Sequence, residues 1–139
     1  MNALVDWAEG RALPGVLKME LLASMVEVAT GVCDSPQEAL AALAELRAAA
    51  AEAAVANGLL VAASGTHPFS VPEQQDIAPD PRYKEFVAYA GISARRQAVC
   101  GLHVHVGMHC SGPGMPTCTC SPQTACRRAE MPAYATNSL

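Results

Sequence analysis

A chain of 139 residues is long enough for one domain with a modest core, and that core must be thin: 51% of the residues are hydrophobic, but many are alanine and only 4% are aromatic. The net charge of -4, with Arg95-Arg96 and Arg127-Arg128 as the only basic pairs, excludes the clustered basic surface that a nucleic-acid partner needs. No apolar run reaches the length of a membrane span (about 18 residues), and the alanine-rich stretch carries Glu45, Arg47 and Glu52. The first residues lack a basic segment leading into an apolar one, so no signal peptide is read and the expected location is the cytoplasm. Without a secretory signal the six cysteines do not suggest a disulfide framework. Cys33 and Cys100 read as buried free thiols. Cys110, Cys118, Cys120 and Cys126 all fall near the end.

In chain order, residues 3–9 suit a short helix before the Gly10–Gly15 break. Val16 to Ala29 is mostly apolar, with Glu20, Ser24 and Glu27 as its polar members; β-branched Val26 and Val28 favour a strand in its second half. Ser35-Pro36-Gln37-Glu38 is a capping box with proline at the first helical position. The helix it opens should run to about Asn57, with Gly58 as its left-handed terminator. Leu40, Leu43, Ala50 and Ala54 then share one face and Glu38, Glu45 and Glu52 the other. Arg47 falls in the apolar stripe, read as a side chain snorkelling at its edge rather than as a buried ligand-binding cation. Residues 59–64 form a short buried strand ending in the Gly65-Thr66-His67-Pro68-Phe69 loop. Pro72, Pro79 and Pro81 keep the chain irregular until a second helix, from Pro81 through Tyr89, which Gly91 ends or bends; Ser93–Ala98 can continue helical. Residues 99–107 alternate like a strand. After Gly107 there is no apolar periodicity, only Pro, Gly, Ser, Thr and Cys, and no packed element is expected.

On a strand, His103 and His105 project side by side. They either bind a metal or polar substrate, or are a satisfied pair of partly buried histidines. Glu20 and Glu27 are seven residues apart, a spacing that repeats a face on a helix and reverses it on a plain strand. They share one site only if the segment is partly helical or bulged. Among Leu21, Leu22, Val26 and Val28 each carboxylate needs a partner, either a basic side chain or a divalent cation. His67, in a turn directly after a strand, either contacts a ligand or caps its own loop. His109 and the four tail cysteines can be imagined around zinc, but Cys118-Thr119-Cys120 lacks the paired spacing of a structural zinc site.

Four segments together carry a resemblance: residues 20–33 (ELLASMVEVATGVC), the helix that follows, residues 63–69 (ASGTHPF) and residues 95–107 (RRQAVCGLHVHVG). In this order they resemble the carboxylate–amine ligases of the glutamate–cysteine ligase type 2 family. The resemblance covers roughly residues 1–107, with Met25 standing where glutamine is expected. It implies an α+β fold of the glutamine synthetase/glutamate–cysteine ligase kind, an antiparallel sheet lining the active site with helices outside. It also implies ATP and Mg²⁺ as cofactors, and small-molecule substrates: a glutamate-like acid and an amine or cysteine. Glu20, Glu27 and His103 correspond to metal-associated residues, with Glu27, His103 and His105 as the catalytic set and Thr66 and His67 near the substrate.

Two departures accompany it. The family's opening strand carries a Gly-Val-Glu-Glu-Glu-like cluster that is not seen ahead of residue 1, and residues 108–139 read like a shifted reading frame rather than further helices and strands. The expectation is a partial catalytic domain over residues 1–107, weak or inactive as a ligase, with sheet edges that favour a homo-oligomer. The alternatives are a non-catalytic remnant, or a small metal-binding protein using His103, His105 and the tail cysteines.

Overall fold

The computed structural model describes residues 2–106 and the strand 133–137. Helix α1 (Asn2–Ala8) leads into strand β1 (Gly15–Met19), β2 (Met25–Thr30), the long helix α2 (Pro36–Ala56) and a two-residue strand β3 (Val61–Ala62). A 3₁₀ turn (Pro72–Gln74), helix α3 (Pro81–Ala90), a single helical turn α4 (Ile92–Arg95) and strand β4 (Ala133–Asn137) follow. The sheet order is β1-β2-β4-β3, every neighbouring pair antiparallel. Helices and an antiparallel sheet in one chain make the fold α+β. Among the described residues no helix is long and apolar enough to cross a membrane.

The Val16–Ala29 stretch is a hairpin rather than one element. Gly15 pairs with Thr30, and a Cβ there would stand 2.1 Å from the Ala29 carbonyl oxygen, so glycine is required where β1 starts. Leu17 faces Val28 and Met19 faces Val26, so one face of the hairpin is apolar, while Lys18 faces Glu27 on the other. The apolar face packs under α1 and α2: Leu4, Leu17, Val26, Val28, Leu43, Leu46, Ala50, Ala53 and Ala54 form the main core. A second, smaller cluster of Leu21, Leu22, Met25 and Ala98 lies around the hairpin turn, with Ile77, Tyr83, Val87 and Cys100 packed against it.

Helix α2 follows its sequence signals closely. Ser35 Oγ accepts the Glu38 N–H at 3.2 Å, and Glu38 reaches back to the Asp34 N–H at 2.8 Å. Gly58, at φ +69°, supplies the left-handed residue past the Asn57 cap. Its alanines let the helix approach the sheet closely, which is how so few large residues make a core. Two features of the expected stripe differ. Leu40 is exposed, and Ala39, Ala42, Leu46 and Ala49 are buried instead, because the sheet contacts a face rotated from the one drawn through Leu40. Arg47 stands at the exposed edge, as a snorkelling residue should.

Two other expectations are corrected. Residues 99–106 do not form a strand: Val99 makes one isolated bridge to Thr66, and Leu102 through Val106 are exposed. Alternation makes a segment able to pair, but a ladder needs a neighbour, and none lies alongside among the described residues. Conversely, β4 sits inside the segment after Gly107, where no packed element is expected, and is inserted between β2 and β3.

Candidate active site

The hairpin settles how Glu20 and Glu27 meet. Glu27 is directly opposite Lys18 in the register, and Glu20 follows directly on the last residue of β1. The two carboxylates are thus brought together at the end of the hairpin, Glu20 just past β1 and Glu27 within β2, with no helix between them. The turn that joins them is held by the Met25 N–H to the Leu22 carbonyl (2.9 Å), and by Ala23 N–H to Asp76 O (2.8 Å) and Ala78 N–H to Leu21 O (2.9 Å). Tyr83, reaching from α3, donates its hydroxyl to the Met19 carbonyl at 3.0 Å, immediately before Glu20. Leu21 and Leu22, buried beside it, anchor the other end.

The Glu20 carboxyl lies close enough to act on that of Glu27. Burial pushes the Glu27 carboxyl above the ordinary carboxylate range; Lys18 pulls it back, and Glu20, like-charged, pushes it further up. The Lys18 ammonium is 3.7 Å from Glu27 Oε1. Tyr83 responds to the same field: burial first, then Glu20, raise its hydroxyl above the ordinary range. Glu20 also accepts the Leu21 N–H at 2.9 Å.

Glu20 opens onto a hollow of ≈ 260 Å³, lined by Leu21, Met25, Gln97, Val99, Gly101 and His103. The structure therefore brings Glu20 and His103 to one hollow, with Glu27 next to Glu20. His105 is exposed and does not line the hollow. Nor do Thr66 and His67. Thr66 Oγ1 donates to Ala98 O at 2.6 Å, and Cys100 N–H to Gly65 O at 2.9 Å, so the loop after β3 holds the 98–103 segment against the site. His67 is turned inward and only 8% exposed. Its Nδ1 accepts the Ser70 N–H at 3.0 Å and its ring meets Phe69 edge-on at 4.7 Å, the geometry of a loop-closing residue. His109 and the tail cysteines lie outside the described residues, and Cys33 and Cys100 are free thiols, with burial raising that of Cys100.

Two converging carboxylates, one with a raised proton affinity, form a site that a cation relieves. Magnesium takes oxygen ligands, often one or two carboxylates with waters and substrate phosphates completing its shell. Glu20 and Glu27 fit that donor set. Among the described residues no group of three His, Cys, Asp or Glu side chains is arranged to enclose a metal, so an all-protein cage is not what the hairpin provides. Lys18 and Tyr83 are the residues that motif reading passes over; the signal for Lys18 is its i, i+2 spacing from Glu20, which becomes visible once β1 is known.

Comparison with known proteins identifies a family. Residues 5–130 match the family described as Glutamate-cysteine ligase family 2 (GCS2), a span that continues past Gly107. A protein of Ralstonia pickettii (strain 12J) named "Putative glutamate--cysteine ligase 2" is 40% identical over 110 residues, which are 79% of this chain and 29% of that protein. One of the same name from Herpetosiphon aurantiacus is 43% identical over 102 residues, 73% of this chain and 26% of that protein. A third, from Solibacter usitatus, is 41% identical over 92 residues, 66% of this chain and 24% of that protein. The chain spans between a quarter and a third of the length of the first two of these relatives. No solved structure matches it.

Proposed function

The chain belongs to glutamate–cysteine ligase family 2, and from that premise we propose that it carries the metal-carboxylate portion of an ATP-dependent carboxylate–amine ligase with the fold of the glutamine synthetase/glutamate–cysteine ligase group. The observation that carries the reading is the Glu20–Glu27 carboxylate pair, of which Glu20 opens onto a hollow that His103 also lines. In the reaction, the γ-phosphoryl group of ATP passes to the side-chain carboxylate of a glutamate-like acid and ADP leaves. The amine, cysteine or another, then attacks the acyl carbon, gives up a proton, and phosphate departs. Bound Mg²⁺ supplies neutralisation of the phosphate charge.

The residues around the hollow would divide the work. Glu20 and Glu27 would hold the ion, beside the apolar cluster of Leu21, Leu22 and Met25. Lys18 balances the charge of the pair from the same face. Tyr83 fixes the main chain at Met19, and with it the direction in which Glu20 points. His103 lines the hollow as a donor towards phosphate or acid, a role that suits imidazole better than binding a hard cation. His105 and the Thr66–His67 loop support that wall rather than touch the ion.

With two carboxylates converging among the described residues, turnover by the chain alone should be slow. The test is ADP release from ATP by the purified chain with Mg²⁺, glutamate and a panel of amines including cysteine. The proposal expects release that needs the acid and Mg²⁺ together and disappears in Glu27→Gln. Release that proceeds without the acid, or unchanged in Glu27→Gln, would sink it.

A further inference from the structure

Three side chains, not two, converge on the polar face of the hairpin, and the third is a cation. Lys18 is set opposite Glu27 by the β1–β2 register, and its ammonium stands 3.7 Å from Glu27 Oε1. We propose that Lys18 is a placeholder for the divalent cation: it neutralises the Glu20–Glu27 pair while no ion is bound, and is displaced from Glu27 when one arrives. This rests on the reading of the carboxylate pair as an ion site.

The geometry supports displacement rather than a fixed structural ion pair. The Lys18 side chain is 44% exposed and Glu27 only 18%, so the ammonium can swing to water while the carboxylate cannot follow it. A Lys side chain loses little on leaving, because it is a strongly hydrated point charge on a flexible stem. Glu27 and Glu20, by contrast, are like charges held within reach of each other by the hairpin and the Tyr83 tether, and without a cation they push each other apart. A resident ammonium offsets that repulsion until the ion replaces it. The cost is competition: every ion that binds must first break the Lys18–Glu27 contact.

The arrangement predicts an affinity that rises when the competitor is removed. An ion pair as solvated as this one contributes at most about 1 kcal/mol, so deleting it should tighten binding about two- to fivefold. The experiment is Mn²⁺ titration of the whole chain, followed by the electron paramagnetic resonance of free Mn²⁺, with wild type, Lys18→Met and Lys18→Arg. Lys18→Met should bind more tightly than wild type, and Lys18→Arg, which keeps the charge, should not. In parallel, Mg²⁺ should increase acylation of Lys18 by an amine-reactive reagent relative to Lys84, the chain's other lysine and exposed on α3. Binding in wild type that Lys18→Met leaves equal or weaker, with Lys18 labelling insensitive to Mg²⁺, overturns the placeholder role and leaves the ion site standing. Absence of Mn²⁺ binding in all three proteins overturns both.

Discussion

Glu27 is held between opposing demands. Its position on β2 buries it and places Glu20 beside it, both of which favour the protonated form, while Lys18 across the strand pair favours the carboxylate. Burial wins, so the folded-state proton affinity lies above that of the unfolded chain. The folded protein then binds more protons than the unfolded one as pH rises through the ordinary carboxylate range, and stability falls across that window. Below the unfolded value the effect vanishes. Glu27→Gln, which cannot ionise, should therefore unfold at a higher temperature than wild type at neutral pH without divalent ions, by an amount equivalent to less than about 1 kcal/mol once solvent screening is allowed for. The two proteins should converge near pH 4. Thermal unfolding across a pH series reads this directly; a Glu27→Gln protein less stable than wild type at neutral pH would mean that the Lys18 contact outweighs burial. The sequence made the two glutamates conspicuous as charges in an apolar run, but not their meeting. That depended on a turn at residues 20–24 with none of the Asn-Gly or Asp-Gly chemistry that usually marks a hairpin.

Helix α2 is the element on which the rest is assembled, and it was readable because local chemistry fixes both of its ends. Its cap contributes through the Ser35 hydroxyl and Glu38, so Ser35→Ala should lower stability by about 1 kcal/mol. Leu46, fully buried at its centre, is one of the few large side chains in an alanine-rich interface, and Leu46→Ala should remove about 2–5 kcal/mol, enough to threaten the fold. Urea denaturation of the two variants separates the cases: similar losses at both positions would mean that α2 is held by its ends rather than by its buried face. Segments whose state depends on distant partners were less legible. The alternation of residues 99–107 is a real strand signal, yet the chain there stays exposed beyond the Val99–Thr66 bridge. The five residues Ala-Tyr-Ala-Thr-Asn of β4 carry hardly any signal, yet they pair on both sides. Pairing is a property of two segments, and a single sequence displays only one at a time.

At the scale of the whole molecule, one sheet separates two kinds of surface. Its apolar face is sealed by α1 and α2; the other carries Lys18, Glu20 and Glu27 and is flanked by α3 and the 98–103 segment. This division follows from the period-two alternation of a single hairpin, and it lets an alanine-rich chain be stable on one side and polar on the other. Membership of glutamate–cysteine ligase family 2 gives that polar face a chemical context, in which we propose that Glu20 and Glu27 together bind a divalent cation. The most direct measurement is the stoichiometry of Mn²⁺ bound by the purified chain and by its Glu20→Gln and Glu27→Gln variants, each checked for folding by circular dichroism. One saturable ion per chain in wild type, lost or weakened at least tenfold in both folded variants, is the predicted result. No saturable binding by wild type, or binding that survives both substitutions, would contradict the claim.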